Sequence, residues 1–170
     1  AYSMIRMFLS VFPDGYLTNV VPVADALLWL GLTGIAFGSI VAISQKDVRR
    51  MLAYSSVSQL GLIAVGIGLG STLGFIAALL HVMNHAVMKA TLFLAVGSVR
   101  FSTGSNSVDG LTGLGRQMPM TMLAFAMGGI AMIGIPPAAG FFSKWYAVQA
   151  SLQSGQWIAV GIILASTLLT

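Results

Sequence analysis

The chain contains no cysteine and no glutamate, and only 7% of its 170 residues are charged. Without cysteine, neither a disulfide bond nor a thiolate metal site can form. A soluble domain usually carries about 25% charged residues, so this composition excludes an ordinary soluble protein. Instead, 57% of the residues are hydrophobic, and long apolar runs recur along the whole chain. This pattern is typical of an integral membrane protein built from helices.

A bilayer core of about 30 Å takes about 20 helical residues, which sets the expected length of each membrane span. We predict one all-α transmembrane domain over residues 1–170, a polytopic helix bundle that contains a proline-broken membrane helix. The predicted helices lie at about 1–12, 24–44, 51–69, 73–98, 119–150 with a break near 134–140, and 157–170. Because both chain ends lie in apolar stretches, we expect a piece of a longer protein, with a complete small protein as the alternative.

The loop charges predict the orientation of the spans. Basic residues outside the apolar runs lie in the loops at 45–50 and 99–118, whereas 13–23 and 70–72 contain no lysine or arginine. Two spans separate the basic loops, so both are expected on one side of the membrane, the cytoplasmic side by the positive-inside rule. The net charge of +4 is therefore attributed to topology and not to binding of nucleic acid.

Three titratable residues lie near the middle of the predicted helix at 73–98: His81, His85 and Lys89. Their spacing of four residues places them on one helix face. A charged side chain at mid-bilayer costs about 2.5–3.5 kcal/mol, so this face is expected to turn toward protein or water. Interhelical hydrogen bonds, a haem and a metal site are alternatives, but both histidines share one face and no third ligand is evident. A proton relay fits better, because neutral histidine both donates and accepts and titrates near neutrality.

A second feature is the segment GIPPAAGFFSKWY at 134–146. Pro136 and Pro137 remove two backbone donors, and Gly134 and Gly140 add backbone freedom, so the helix is expected to break here. Broken membrane helices are tolerated where protein or a water-filled cavity covers the exposed backbone, and transporters use such breaks at ion sites. Lys144 follows the break directly, and an ordinary snorkelling lysine is the alternative interpretation.

The third feature is QKDVRRMLAYSSVSQLG at 45–61. Its basic residues, which include Arg49 and lie next to Asp47, are explained by topology alone, as cytoplasmic anchors. The polar residues that follow are unusual at the start of a span and are expected to hydrogen-bond across helices or to hold water: Tyr54, Ser55, Ser56, Ser58 and Gln59.

Together with HVMNHAVMKATLFLAVGSV, these segments resemble the antiporter-like membrane subunits of respiratory complex I. They are equally similar to the large subunits of Mrp-type cation/proton antiporters and to membrane-bound hydrogenase subunits. The SSVSQLG and PPAAGFFSKW versions are most similar to the branch that contains the D-type Mrp subunits and the hydrogenase subunits. The resemblance covers essentially all 170 residues. It implies a fold with two inverted five-helix repeats, each with one broken helix. This chain would hold one of the two repeats.

The resemblance also implies roles for individual residues. Protons would pass along His81, His85 and Lys89 toward Lys144, the lysine of the second broken helix. Arg49 falls where many members have lysine, and because arginine stays protonated, it implies a fixed electrostatic role with Asp47 between the repeats. The essential glutamate of the family and the lysine of its first broken helix have no counterpart in the chain.

Two functional classes follow from the resemblance: a proton- or cation/proton-translocating subunit of a respiratory or antiporter complex, and a structural scaffold subunit that has lost transport. The chain has no flavin, iron–sulfur or quinone-binding motif, so no cofactor is expected in it. Membership in a complex like NADH:quinone oxidoreductase or a hydrogenase stays open. The expected partners are other membrane subunits, the lipid bilayer, and protons, with sodium as the second candidate ion. The expected location is the bacterial or archaeal plasma membrane, in preference to the mitochondrial inner membrane.

Overall fold

The computed structural model describes Ser3 and residues 23–169. The described part of the chain is an all-α bundle, which confirms the predicted fold class. Its helices are α1 (Val23–Ile43), α2 (Val48–Gly68), α3 (Thr72–Thr103), α4 (Leu114–Gln117), α5 (Pro119–Ile133), α6 (Ala139–Gln153) and α7 (Trp157–Leu169). A 3₁₀ turn at Asp109–Leu111 precedes α4. The helix predicted at 1–12 lies outside the described residues.

Three of the described helices, α1, α2 and α3, are long and apolar enough to cross a membrane. Helix α3 has 32 residues and continues five residues beyond the predicted end at 98. It ends at Gly104, whose positive φ of 73° and N–H bond to the carbonyl of Arg100 form a left-handed C-cap. Arg100, predicted in a loop, therefore lies in the last helical turn, where a cation interacts favourably with the helix dipole.

Helices α5 and α6 have 15 residues each, too few to span a bilayer core singly. They follow each other across the segment at 134–138 and pack on α3. The pair therefore forms the two halves of one broken helix beside α3, the helix that carries both histidines.

Close glycine contacts hold α1 against α2. A Cβ atom built on Gly31 would lie 2.8 Å from the carbonyl oxygen of Gly61, and one on Gly61 would lie 2.6 Å from that of Gly31. Further along α1, a Cβ atom on Gly38 would lie 2.6 Å from the backbone nitrogen of Ser58. Small residues let membrane helices approach until their backbones touch, and this approach sets the α1–α2 distance.

The loop before α2 and the loop after α3 are joined by hydrogen bonds. The N–H of Val48 donates to the carbonyl of Asn106 at 2.9 Å, and that of Val108 to the carbonyl of Lys46 at 3.0 Å. The two basic segments therefore lie on the same side of the bundle, as the alternation of spans predicts. Asp47 caps α2 at this point, since its carboxylate accepts from the backbone N–H groups of Arg49 and Arg50.

Candidate functional site

The break between α5 and α6 is organised around Lys144. In a continuous helix, the carbonyls of Met132 and Ile133 would accept the N–H groups four residues later, at Pro136 and Pro137, which have none. The Nζ of Lys144 donates to both carbonyls, at 2.9 and 3.1 Å. Lys144 therefore supplies the two donors that the prolines lack. It does so at the C-terminal end of α5, where the helix dipole is negative. Its side chain is only 7% exposed, which contradicts the alternative of a lysine that snorkels to the interface.

The two glycines of the break are required for different structural reasons. Gly134 caps α5 with a φ of 85°, a conformation that residues with a Cβ atom rarely adopt. Gly140 lies in the first turn of α6, where a Cβ atom would overlap the carbonyl oxygen of Ala131. Gly134 therefore permits the turn, and Gly140 permits the two half-helices to approach each other.

His81 is buried at the contact between α3 and α6. Its Nδ1 lies 2.9 Å from the Oγ of Ser143, which also donates to the carbonyl of Gly140 at 3.1 Å. A hydroxyl has one hydrogen, so when Ser143 donates to Gly140, Nδ1 of His81 must be the donor to Ser143. The neutral imidazole then has its lone pair on Nε2, which has no hydrogen-bond partner among the described residues.

His85 lies one turn after His81 on the same face of α3, toward the C-terminal end of the helix. Its ring is stacked on that of His81, with centroids 6.2 Å apart and planes 22° from parallel. Its Nε2 atom is likewise buried and has no hydrogen-bond partner in the described part of the chain. The two imidazoles therefore present ring nitrogens that are available to a proton donor or acceptor such as water.

Lys89 turns toward α2. Its Nζ donates to the carbonyl of Leu52 at 2.8 Å and to the hydroxyl of Ser55. Ser55 also lies 4.0 Å from the sulfur of Met132, whose carbonyl binds Lys144. Met132 thus lies between the surroundings of the two buried lysines, with its side chain toward one and its backbone toward the other.

The structure divides the predicted site residues into two groups. His81, Lys89 and Lys144 are buried in the bundle interior beside the break formed by the segment at 134–140, and His85 is half-buried next to His81. By contrast, Arg49 is exposed at the start of α2, where Asp47 caps the helix. The second group is therefore at the end of the bundle and away from the buried side chains.

One partner of the site, Ser143, which binds His81, was not singled out from the sequence. Asn84, a polar residue near the histidine face of α3, donates to the carbonyl of Ala139 at 2.8 Å, which ties α3 to the start of α6. The segment FFSKW places Ser143 next to Lys144, and the adjacency to a predicted relay lysine is the signal that could have identified it.

The comparisons with known proteins identify the family of the chain. The family described as NADH:quinone oxidoreductase/Mrp antiporter, transmembrane, matches residues 1–170. The chain is 47% identical to the N-type subunit of the NADH-quinone oxidoreductase of Desulforudis audaxviator, over all of this chain and 34% of that protein. It is 32% identical to the D-type subunit of the Na⁺/H⁺ antiporter of Alkalihalophilus pseudofirmus, over 99% of this chain and 34% of that protein. The higher identity to the oxidoreductase relative does not support the expected similarity to the D-type Mrp branch.

Among solved structures, a chain of the membrane-bound sulfane sulfur reductase, an archaeal respiratory membrane complex, superimposes with a TM-score of 0.89 at 34% identity. The match covers 99% of this chain and 34% of that one. The chain thus spans about a third of the length of the relatives that it matches. The assignment rests on the family match over the whole chain and on the bundle of membrane helices. The chain belongs to the NADH:quinone oxidoreductase/Mrp antiporter transmembrane family, whose members are multi-pass membrane proteins.

Proposed function

We propose that the chain is part of a subunit that translocates protons across a membrane, with Lys89, His85, His81 and Lys144 as the relay. The observation that carries this proposal is the surroundings of the two buried lysines. Each is 7% exposed, and all the hydrogen bonds that they donate to described residues go to neutral oxygen atoms. Within the described residues, two buried lysine side chains of one bundle therefore have hydrogen-bond acceptors but no bonded carboxylate.

A buried ion pair holds a charge in place, because separating it leaves an uncompensated charge in a medium of low dielectric constant. Neutral carbonyl and hydroxyl acceptors stabilise an ammonium without fixing it in this way. A positive charge can therefore leave Lys89 and appear on Lys144 without being pulled from a negative partner. Intramembrane ionisable residues that face the bundle interior are typical of such ion pathways.

The histidines connect the two lysines within this proposal. Each neutral imidazole can accept a proton on one nitrogen and release one from the other, so the stacked pair can pass a proton along α3. The hydrogen bond to Ser143 orients His81 toward α6, the helix that carries Lys144. Arg49 and Asp47 are assigned no transfer step, and their proposed role is electrostatic, in the link to the neighbouring repeat.

The setting of the chain is part of the proposal. The described helices would be one inverted repeat of a longer subunit within a multi-subunit complex in a bacterial or archaeal plasma membrane. The relatives include a subunit of an NADH-quinone oxidoreductase and a subunit of a Na⁺/H⁺ antiporter. The proposed ion is the proton, because histidines can carry protons. A sodium site would give no reason for the presence of the histidines. Transport would be driven by a reaction outside this chain.

The test uses the full-length protein in its intact complex, reconstituted in vesicles with a pH-sensitive dye inside. We expect Lys89→Ala and Lys144→Ala each to abolish proton transport while the complex still assembles. The matched control is Lys46→Ala, which removes the third lysine of the chain, an exposed residue in the loop before α2. The control is expected to transport normally.

Normal proton transport with both buried lysines replaced would rule out the relay and favour the structural scaffold. Sodium movement is measured in the same vesicles with radioactive ²²Na⁺. If both variants stop sodium counter-transport together with proton transport, the complex is a sodium/proton antiporter that uses the same lysines.

A further inference from the structure

Three buried serines from three helices form a hydroxyl cluster that the proposed relay does not use. Ser39 of α1 lies 2.8 Å from Ser58 of α2 and 2.7 Å from Ser166 of α7, measured between Oγ atoms. Ser58 and Ser166 are 3.1 Å apart. Because each hydroxyl can donate one hydrogen and accept two, such a cluster can hand a proton from any member to another. We call Ser39, Ser58 and Ser166 the serine cluster.

A cavity of about 70 Å³ lies between Ser39 of the serine cluster and Ser55, the hydrogen-bond partner of Lys89. Its polar lining comes from Ser39 and from Ser55, the residue that accepts a hydrogen bond from Lys89. A cavity needs roughly 10–15 Å³ and two or more polar partners to hold a water molecule. This cavity is therefore large enough for water to connect the hydroxyls of Ser55 and Ser39.

A second cavity, of about 10 Å³, joins the other side of the serine cluster to Lys144. Ser58, Ser166 and Lys144 all line it, and so does Gln59, which is 2% exposed. The Oε1 atom of Gln59 is buried and has no hydrogen-bond partner in the described part of the chain. Buried polar atoms in native proteins are nearly always hydrogen-bonded, so this oxygen indicates a site for one ordered water.

We propose that the serine cluster and its two cavities form a second, water-containing proton route between Lys89 and Lys144, which bypasses both histidines. The order is Lys89, Ser55, water, Ser39, Ser58 or Ser166, water, Lys144. One proton leaves Lys89 and one arrives at Lys144. Each hydroxyl or water between them accepts one proton and releases another, so each ends as it began with its O–H bond reoriented. This route deepens the proposed function and rests on it.

The decisive variant removes the hydroxyls at the middle of the route. Ser39→Ala/Ser58→Ala removes both members of the Ser39–Ser58 hydrogen bond, and the hydroxyl of Ser166 loses its bonds to both of them. It is made in the native sequence and together with His81→Ala, in the full-length protein within its intact complex in vesicles. With two parallel routes of similar capacity, each change alone lowers the transport rate about two-fold, and the combination abolishes transport.

The matched control is Ser151→Ala. Ser151 is as buried as the serine cluster, but among the described residues its hydroxyl donates only to the carbonyl of Ala147 within α6, and it lines neither cavity. It should leave the rate unchanged in both backgrounds. Two results would overturn the route: complete loss of transport in His81→Ala alone, or equal rates in His81→Ala with and without the serine changes. Normal transport in Lys144→Ala, measured in parallel, would instead overturn the proposed function.

A second measurement does not depend on how well the variants assemble. In a cryo-electron microscopy map of the intact complex that resolves water, we expect density within hydrogen-bonding distance of Gln59 Oε1 and between Ser55 and Ser39. Finding Gln59 Oε1 bonded to protein atoms, with the space between Ser55 and Ser39 filled by side chains, would overturn the route. This experiment reports on the hydration of the cavities whether or not the complex transports protons.

Discussion

Nδ1 of His81 and Oγ of Ser143 lie 2.9 Å apart, across the contact between α3 and α6. Sixty-two residues separate them in the chain, so this hydrogen bond fixes the histidine helix to the second half of the broken helix. It also determines which imidazole nitrogen faces away from Ser143. The orientation of His81 therefore depends on α6 as well as on its own helix.

Removal of this hydroxyl should impair transport more than folding. We expect Ser143→Ala to lower the free energy of unfolding by about 1 kcal/mol, the usual value of one hydrogen bond. In the Ser39→Ala/Ser58→Ala background, where only the histidine route remains, we expect Ser143→Ala to lower the transport rate about five-fold, the rate equivalent of a similar energy, because His81 loses its orienting partner. With the serine cluster intact, the rate should fall by no more than about two-fold. Proton uptake in vesicles and thermal unfolding in detergent measure the two effects. Ser143→Thr keeps the hydroxyl and should recover transport; equal loss in both variants would contradict an orienting role.

The two roles of Lys144 can be separated with its proline partners. Lys144→Ala leaves the carbonyls of Met132 and Ile133 without their donor, which should cost about 1–3 kcal/mol in stability. Addition of Pro136→Ala restores a backbone N–H four residues after Met132. The double variant should regain part of the lost thermal stability while transport stays absent. Recovery of transport in the double variant would show that Lys144 acts only as a structural donor.

The carboxylate of Asp47 is expected to matter for the start of α2. It accepts hydrogen bonds from the backbone N–H groups of Arg49 and Arg50, at 2.8 and 3.2 Å. Asp47→Ala should therefore lower stability by about 1 kcal/mol, whereas Asp47→Asn should retain nearly all of it, since asparagine is an equally good N-cap. Thermal unfolding measures both. If Asp47→Asn keeps its stability but transports more slowly, the negative charge has the linking role in addition to the cap.

Gly61 should tolerate no side chain. A Cβ atom there would lie 2.6 Å from the carbonyl oxygen of Gly31, and this oxygen cannot move without its helix. We expect Gly61→Ala to destabilise the bundle by about 1–3 kcal/mol, as overpacking does in a well-packed core. The matched control is Gly34→Ala on the same helix pair, where the nearest atom is 3.8 Å away and stability should not fall. Equal melting temperatures for the two variants would contradict the glycine contact.

The sequence was sufficient for the fold class and for some of the buried polar residues, among them His81, Lys89 and Lys144. Apolar runs of span length predict helices, and two adjacent prolines end one wherever they occur. The charged stripe on α3 could be identified because charge is rare in this chain. These are local properties, and they are visible in one stretch of sequence at a time.

The partners of those residues could not be predicted in the same way. Lys144 binds two backbone carbonyls, a group that every residue has, and Ser39, Ser58 and Ser166 meet only because three separate helices pack together. Serine is also common in membrane helices, where it usually bonds to its own backbone, as Ser98 does with the carbonyl of Leu94. Which serine forms a hydrogen bond to another helix depends on how the helices pack, and the periodicity of the sequence does not predict this packing.

Lys144 replaces the two N–H donors that Pro136 and Pro137 lack, and this limits how many hydrogens its amino group needs. An ammonium has three N–H donors, and Lys144 uses two of them for the carbonyls of Met132 and Ile133. A neutral amine still has two. Lys144 can therefore give up one hydrogen and keep both carbonyls satisfied, so the broken helix has the same bonds before and after the proton departs. The two missing proline hydrogens thus define how many hydrogens the lysine must keep, and the third is the one left to move.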